Sequence, residues 1–369
     1  MKVLIVTIVD NINYGTYLQA FATWWKIKQL GHDPIILDYR RPYISPVSTS
    51  KEYLKDSSKS LIGKIIYAAA YPLLYGYMVW NVKRFLRKNA VLTKPYKSIN
   101  EIKKDNITAD LYLTGSDQVW NSDYNGGIDE VFYLSFTNGN KCSFSSSVGI
   151  DAFPKLSVPV IRTFLSNYSK ISVRESFGVN LLKDIGIDEV EHIIDPTFLL
   201  DKPTWMNLFG NRNNTESESY LLVYSVEKGR NDQILALARD VAIKKNLKIY
   251  WVCPTIKAKK RLGVDRVYSL ASVETFLSLL ANADFVLVSS FHGTAFSINF
   301  NKQFLTISPA KYNSRVKSLL GLFNLQDRYI QDIQEGLDNL KDIDYVPVNS
   351  ILEEQRAKAT LFLKQILKR

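Results

Sequence analysis

The sequence predicts an α/β protein of two Rossmann-like domains facing a cleft, with a helical, basic insertion in the first domain. Three observations predict it. Short apolar runs alternate with stretches of helical periodicity, the pattern of β/α units on a parallel sheet. The alternation occurs twice, on either side of an Asn-rich, strand-poor stretch at 207–219. The length of 369 residues suits about two domains at roughly 150 residues each.

Residues 3–9 form the first apolar run. A polar loop and Asn13-Tyr14-Gly15 follow, then helical spacing over 16–30 with Leu18, Phe21, Ala22 and Trp25. Gly31 stops that helix, and 34–38 reads as a second strand. Further strands are expected at 111–114, 142–147, 170–173 and 192–194, with helices near 157–168 and 175–185. Beyond the polar stretch, 220–226, 247–252, 284–288 and 304–307 read as strands. Residues 231–246 and 272–282 read as helices, and another helix starts near Thr294. The expected division is 1–206 for the first domain, 207–349 for the second and 350–369 for a final helix that fits either.

Composition excludes whole classes. Hydrophobic residues at 46% and charged residues at 22% are ordinary globular values, not those of a disordered or fibrous chain. Two cysteines give neither a disulfide framework nor a Cys-based zinc site, and point to a reducing compartment. Three histidines cannot build a His-rich metal centre, so no metal site is expected. The run before Asp10 is too short for a signal peptide and reads as a buried strand.

The net charge of +11 is local. Residues 40–104 hold fourteen Lys/Arg against Glu52, Asp56 and Glu101, which accounts for the whole excess. One basic segment facing an acidic partner is implied. Within it, 65–80 carries no charge and includes Tyr67, Tyr71, Tyr75, Tyr77 and Trp80, with Pro72 and Gly76 interrupting. Lys51, Lys55, Lys59 and Lys64 precede this run; Lys83, Arg84, Arg87 and Lys88 follow. It falls short of the roughly 20 residues that span a bilayer. Cations flanking aromatic and apolar residues instead predict peripheral contact of 51–88 with an anionic membrane. The competing expectation is a helical hairpin packed on the first domain, or an oligomer contact. No nucleic-acid fold signature accompanies the charge.

In parallel α/β sheets ligands sit at the carboxyl ends of strands, and five clusters fall there. Asn13, Tyr14 and Gly15 open a helix, with glycine read as permitting a tight turn. Asp117, Gln118, Trp120 and Asn121 follow the 111–114 strand; Asp117 reads as a proton acceptor and Trp120 as a platform for a sugar ring. Arg174, before Glu175, is placed to fork onto an anion or to pair with that glutamate. Asp195-Pro196-Thr197 reads first as a structural cap. Ser290, His292, Gly293 and Thr294 follow the 284–288 strand. There His292 precedes a helix and reads as a general acid or base, while Gly293 and Thr294 offer N–H groups to an anion. Lys311, Arg315 and Lys317 add positive charge; His32 and His192 read as structural.

At these residues the chain resembles the polysaccharide pyruvyl transferase family. The matching pieces are Asn13-Tyr14-Gly15 with Leu18-Gln19-Ala20-Phe21, Gly115-Ser116-Asp117-Gln118-Val119-Trp120-Asn121, Ser172-Val173-Arg174-Glu175, Asp195-Pro196-Thr197, Phe291-His292-Gly293 and Ser314-Arg315. They run in family order over about 300 residues, leaving out 40–104. The resemblance implies a GT-B-like fold and transfer of a pyruvyl group from phosphoenolpyruvate to two hydroxyls of a sugar, giving a ketal and phosphate. Many family members carry an arginine two residues before the histidine. Here Ser290 stands there, so the donor's cations are expected from Arg174, Arg315 or Lys311.

The expected roles are His292 as acid and Asp117 as base, or the reverse. Ser290, Gly293 and Thr294 join the cations at the donor, and Asn13, Tyr14, Gly15, Gln118, Trp120 and Asn121 meet the acceptor. Phosphoenolpyruvate is then a substrate and no cofactor is called for. The acceptor is a sugar, free or lipid-linked, and the expected place is the cytoplasm or the inner face of the cell membrane. A GT-B glycosyltransferase using a nucleotide sugar, and a non-catalytic module that binds polyanions or membranes, are the alternatives.

Overall fold

The computed structural model describes residues 1–44, 60–210, 218–226, 231–256, 262–308, 313–331 and 341–368. Lys311 and the lysines at 51, 55 and 59 lie outside these residues.

The first domain runs β1 (Lys2–Val6), α1 (Tyr14–Gln29), β2 (Asp33–Tyr39), α2 (Leu61–Asn89), β3 (Leu92–Tyr96), α3 (Ile99–Asp105), β4 (Leu111–Thr114), β5 (Lys141–Ser143), α4 (Val158–Leu165), β6 (Ile171–Val173), α5 (Ser176–Asp184) and β7 (Val190–His192). Its sheet is parallel in the order β3-β2-β1-β4-β5. The parallel pair β6-β7 extends it through bridges from Cys142 to Lys170 and from Ser146 to Val173. The second domain runs α6 (Lys202–Phe209), β8 (Tyr220–Tyr224), α7 (Asn231–Lys245), β9 (Lys248–Val252), β10 (Arg266–Tyr268), α8 (Val273–Asn282), β11 (Phe285–Val288), α9 (Phe291–Asn299), β12 (Gln303–Ile307), α10 (Ser314–Leu322), β13 (Tyr329–Ile330) and α11 (Tyr345–Ile366). Its sheet is parallel in the order β10-β9-β8-β11-β12-β13.

The central strands of both sheets are buried on both faces, which is why they read as unbroken apolar runs. In β1, Leu4 and Val6 enter one cluster while Val3 and Ile5 enter another. In β8, Leu221 and Val223 face a cluster private to the second domain. Tyr220, Leu222 and Tyr224 join the cluster that also holds Val3, Ile5 and Phe21 of the first domain. One apolar core therefore runs through the junction of the two sheets.

Several elements were not legible in the sequence. Strand β3 is half exposed and contains Pro95; β10 and β13 have only three and two residues. Helix α6 straddles residue 207, with Phe209 packed edge-on to Phe21 at 4.9 Å and Trp205 to Phe296 at 5.5 Å. The final helix begins at Tyr345 rather than 350 and belongs to both sides. Ile343, just before it, bonds Gln303 of the second domain, while Phe362 stacks on Phe144 of the first.

The part of the expected hairpin before residue 60 lies outside the described residues, and within the basic segment residues 61–89 form one continuous helix, α2. Its second half packs with Tyr75, Met78, Val82, Phe85 and Leu86 buried, and Asn81 donates to the Leu270 carbonyl of the second domain at 2.9 Å. Among the described residues no helix is long and apolar enough to cross a membrane.

Candidate active site

Strand order reverses between β1 and β4 in one sheet and between β8 and β11 in the other. Such reversals open a crevice at the carboxyl ends of the strands. The loop after β1, the loop after β4 and the helix after β11 bring the predicted residues together there.

His292 lies inside the first turn of α9, not ahead of the helix. The helix begins at Phe291 because Ser290 caps it, its Oγ accepting from the Gly293 N–H at 3.0 Å. Thr294 N–H donates to the Ser290 carbonyl, and Thr294 Oγ1 meets Ser290 O and Thr306 Oγ1, each at 3.0 Å. The N–H groups of Gly293 and Thr294, expected to face an anion, are thus engaged within the helix. Ser290, expected in the donor set, is the cap of this helix.

The imidazole of His292 rests on Gly15. A Cβ at residue 15 would lie 2.0 Å from the ring Cγ and 2.2 Å from Nδ1. Gly15 sits in α1 and is not among the residues with positive φ, so close approach rather than a tight turn explains the glycine. The other ring nitrogen, Nε2, lies 3.6 Å from Asp195 Oδ2, an ion contact when the ring is protonated.

Asp195 is the residue whose importance the sequence concealed. Its Oδ1 caps the turn at Thr197, accepting from N at 2.9 Å and Oγ1 at 2.7 Å, as expected. Its Oδ2 accepts from Arg174 Nη1 at 2.9 Å and Ser116 Oγ at 3.0 Å, beside His292. Burial alone would raise this carboxyl. His292, then Arg174 and the Thr197 N–H, outweigh burial and hold it well below the usual carboxylate range.

Asp117 sits at φ +75°, a left-handed conformation that non-glycine residues rarely adopt. Its carbonyl holds that shape by accepting from the Val119 and Ser147 N–H groups at 2.8 and 3.0 Å. Oδ2 accepts from Thr16 Oγ1 at 2.6 Å, and Oδ1 from the Gln118 N–H at 2.9 Å. Burial again acts upward, but His292, Arg174 and these two donors leave the carboxyl below its ordinary value. Thr16 in turn accepts from Asn11 Nδ2 at 3.0 Å, which also reaches Tyr124 Oη at 3.2 Å.

Arg174 is fully buried. Besides Asp195 it pairs with Glu175 Oε1 at 3.2 Å, and its guanidinium stacks 4.0 Å above the Phe291 ring. Its Nη2, like Glu175 Oε2, is buried without a hydrogen-bond partner. Arg315 approaches the same ring at 6.0 Å. Burial and the neighbouring Arg174 push Arg315 down to about 10. Three carboxylates, of Asp117, Asp195 and Glu175, therefore stand against Arg174, Arg315 and the imidazole.

The acceptor set is corrected in part. Trp120 is 1% exposed, stacked on Tyr133 at 6.0 Å, with its indole N–H on the Phe132 carbonyl, and offers no face to a sugar. Tyr14 is an inter-domain core residue, stacked on Phe276 at 4.6 Å and bonded to the Ala271 carbonyl. Asn121 ties Gln118 Oε1, the Gly149 carbonyl and the Tyr124 N–H together. Asn13 caps α1, accepting from the Gly15 N–H at 2.9 Å. A dense polar run after a strand signals a built loop, but not which side chains face inward. His192 is structural as expected, its Nε2 on the Arg174 carbonyl at 3.0 Å. Lys317 is exposed.

The family model for polysaccharide pyruvyl transferases matches residues 13–311, from the cap of α1 to beyond β12. The chain belongs to the polysaccharide pyruvyl transferase family. Membership makes it one of a family of transferases. No protein of curated function matches it in sequence. Among solved structures it is similar to a UDP-GlcNAc 2-epimerase from Neisseria meningitidis, at 11% identity and TM-score 0.55 over 100% of this chain and 99% of that one. A UDP-GlcNAc 2-epimerase from Methanocaldococcus jannaschii has 11% identity and TM-score 0.54 over 98% and 99%. The Anabaena protein Alr3699/HepE, solved with UDP and glucose, has 10% identity and TM-score 0.52 over 100% and 99%. At such identities the likeness concerns the fold, which is GT-B.

Proposed function

We propose that this family member transfers the pyruvyl group of phosphoenolpyruvate to two hydroxyls of a sugar, in a surface polysaccharide or its lipid-linked precursor. The products are a pyruvate ketal and phosphate. The observation that carries the reading is His292 set between Asp195 and Gly15 while sharing a buried site with a depressed Asp117.

The chemistry needs one group that gives a proton and one that takes one. Protonated His292 delivers its proton to the methylene carbon of the donor, making C2 electrophilic. Asp117, whose carboxyl stays ionised, takes the proton of the first sugar hydroxyl as its oxygen bonds C2. The C2–O bond to phosphate then breaks, and the second hydroxyl closes the ketal. Of the two hydroxyl protons, one balances the methyl group and one leaves with phosphate. Asp195 steadies the imidazolium, and its ion pair with Arg174 orients both. Arg174 and Arg315 meet the donor's carboxylate and phosphate, and Lys311 is a further candidate. A trianionic donor lying between Arg174 and Arg315 would offset the repulsion that lowers Arg315.

The test is phosphate release from phosphoenolpyruvate with a panel of synthetic and lipid-linked glycosides, with mass analysis of the product. A gain of one pyruvate as a ketal is expected. Glycosyl transfer from a nucleotide sugar, with no use of phosphoenolpyruvate, would overturn the reading.

A further inference from the structure

Helix α2 is apolar on two opposite faces, and among the described residues only one of them is covered. Tyr75, Met78, Val82, Phe85 and Leu86 are buried against the protein. On the other side, positions three, four, seven and eight apart place Ile62, Ile65, Leu73, Tyr77 and Trp80 on one stripe. These five are 71%, 61%, 80%, 48% and 44% exposed. A soluble helix normally turns polar residues outward, and one that is apolar all round is normally buried.

The stripe continues into cations. Arg84 and Arg87 extend it by one more turn, both exposed, and Lys88 lies alongside. Arg84 stacks on Trp80 at 5.5 Å, and Trp80 on Tyr77 at 5.8 Å. No Asp or Glu occurs between Asp56 and Glu101. At the base of α2 lies a cavity of about 430 Å³ lined by Asp10, Arg40, Arg41, Tyr75, Lys83 and Arg87, among others. The facing acids are already taken. Asp10 holds Arg41 at 2.7 Å, and Asp38 holds both Lys83 and Arg40. Among the described residues no carboxylate is paired with Arg87 beside them.

We infer that α2 seats the protein on an anionic membrane, with its uncovered stripe in the lipid interface and the basic cavity at its base receiving a lipid phosphate. Apolar residues, an aromatic pair and then cations follow one another along the helix, as headgroup and acyl boundary do across a leaflet. The opposite face packs the helix on α1, where Phe85 meets Phe21 edge-on at 5.5 Å. The inference stands whatever the donor substrate is.

Lys83 is not a usable position for the test. It is buried and paired with Asp38, so replacing it strands a buried carboxylate and confounds folding with docking. The usable variants are R84Q/R87Q/K88Q and I62D/L73D, all at exposed positions. Each is purified, checked for an unchanged melting temperature, and sedimented with vesicles of phosphatidylcholine alone or mixed with phosphatidylglycerol, at low and high salt. The native protein is expected to sediment with the mixed vesicles at low salt and to be released by high salt. The triple variant should bind on the order of a hundredfold more weakly, three cations each contributing the usual amount. Brominated lipid should quench the native protein but not Trp80→Phe. Equal sedimentation of native and triple variant, binding to neither vesicle, or equal quenching of Trp80→Phe would each overturn the inference. So would a stable dimer that ignores vesicles and that I62D/L73D dissociates.

Discussion

Gly15 and His292, 277 positions apart in the sequence, touch so closely that a methyl group at residue 15 would occupy the space of the imidazole. The contact joins the first turn of α1 to the first turn of α9, one from each domain. It makes the position of the ring depend on how the two domains meet.

Gly15→Ala should therefore disable the enzyme with little loss of fold. Alanine improves helix propensity by about 1 kcal/mol, which offsets part of the strain. Displacing the ring by roughly an ångström should lower turnover on the order of a hundredfold. Phosphate release and a thermal melt check it; turnover near native would show that the contact does not position His292.

His292→Ala should retain the fold and lose about 10²–10⁴-fold in turnover. Asp117→Asn should lose a comparable factor, because Asn tolerates the φ of +75° but cannot accept the proton. A His292→Ala variant within about threefold of the native rate would remove the acid from the mechanism.

Arg315→Ala should weaken phosphoenolpyruvate binding more than acceptor binding, as read by isothermal titration. Arg174→Ala is a different experiment. It leaves Asp195 and Glu175 buried without their cation, and should destabilise by about 3–5 kcal/mol. An Arg174→Ala melt unchanged from native, or unchanged donor affinity in Arg315→Ala, would contradict these assignments.

Asp117 and Asp195 both titrate below the unfolded carboxylate value of about 3.9. A depressed folded value means stability that is complete above the unfolded pKa and is lost as pH falls toward the folded one. The native melting temperature should fall more steeply below about pH 4 than that of Asp117→Asn. Parallel acid limbs would show that Asp117 is not held ionised by its neighbours.

The sequence by itself determined the alternation of β and α and the two Rossmann-like domains. Apolar runs such as 220–224 are local signals, written within a few residues of the structure they specify. His292, Asp117, Arg174 and Arg315 were legible because each follows a strand that could be recognised.

Tertiary structure decided what those residues face. Trp120 and Tyr14 looked like ligand platforms and are core, because sequence does not tell which side of a loop meets the neighbouring sheet. Asp195 looked like a cap. It is one, yet its second oxygen meets Arg174 and His292 from distant strands. Gly15 looked like a turn and is instead the space a ring from the other domain fills. Each of these depends on contacts between segments a dozen to more than two hundred residues apart, and no local pattern of propensity or periodicity encodes them.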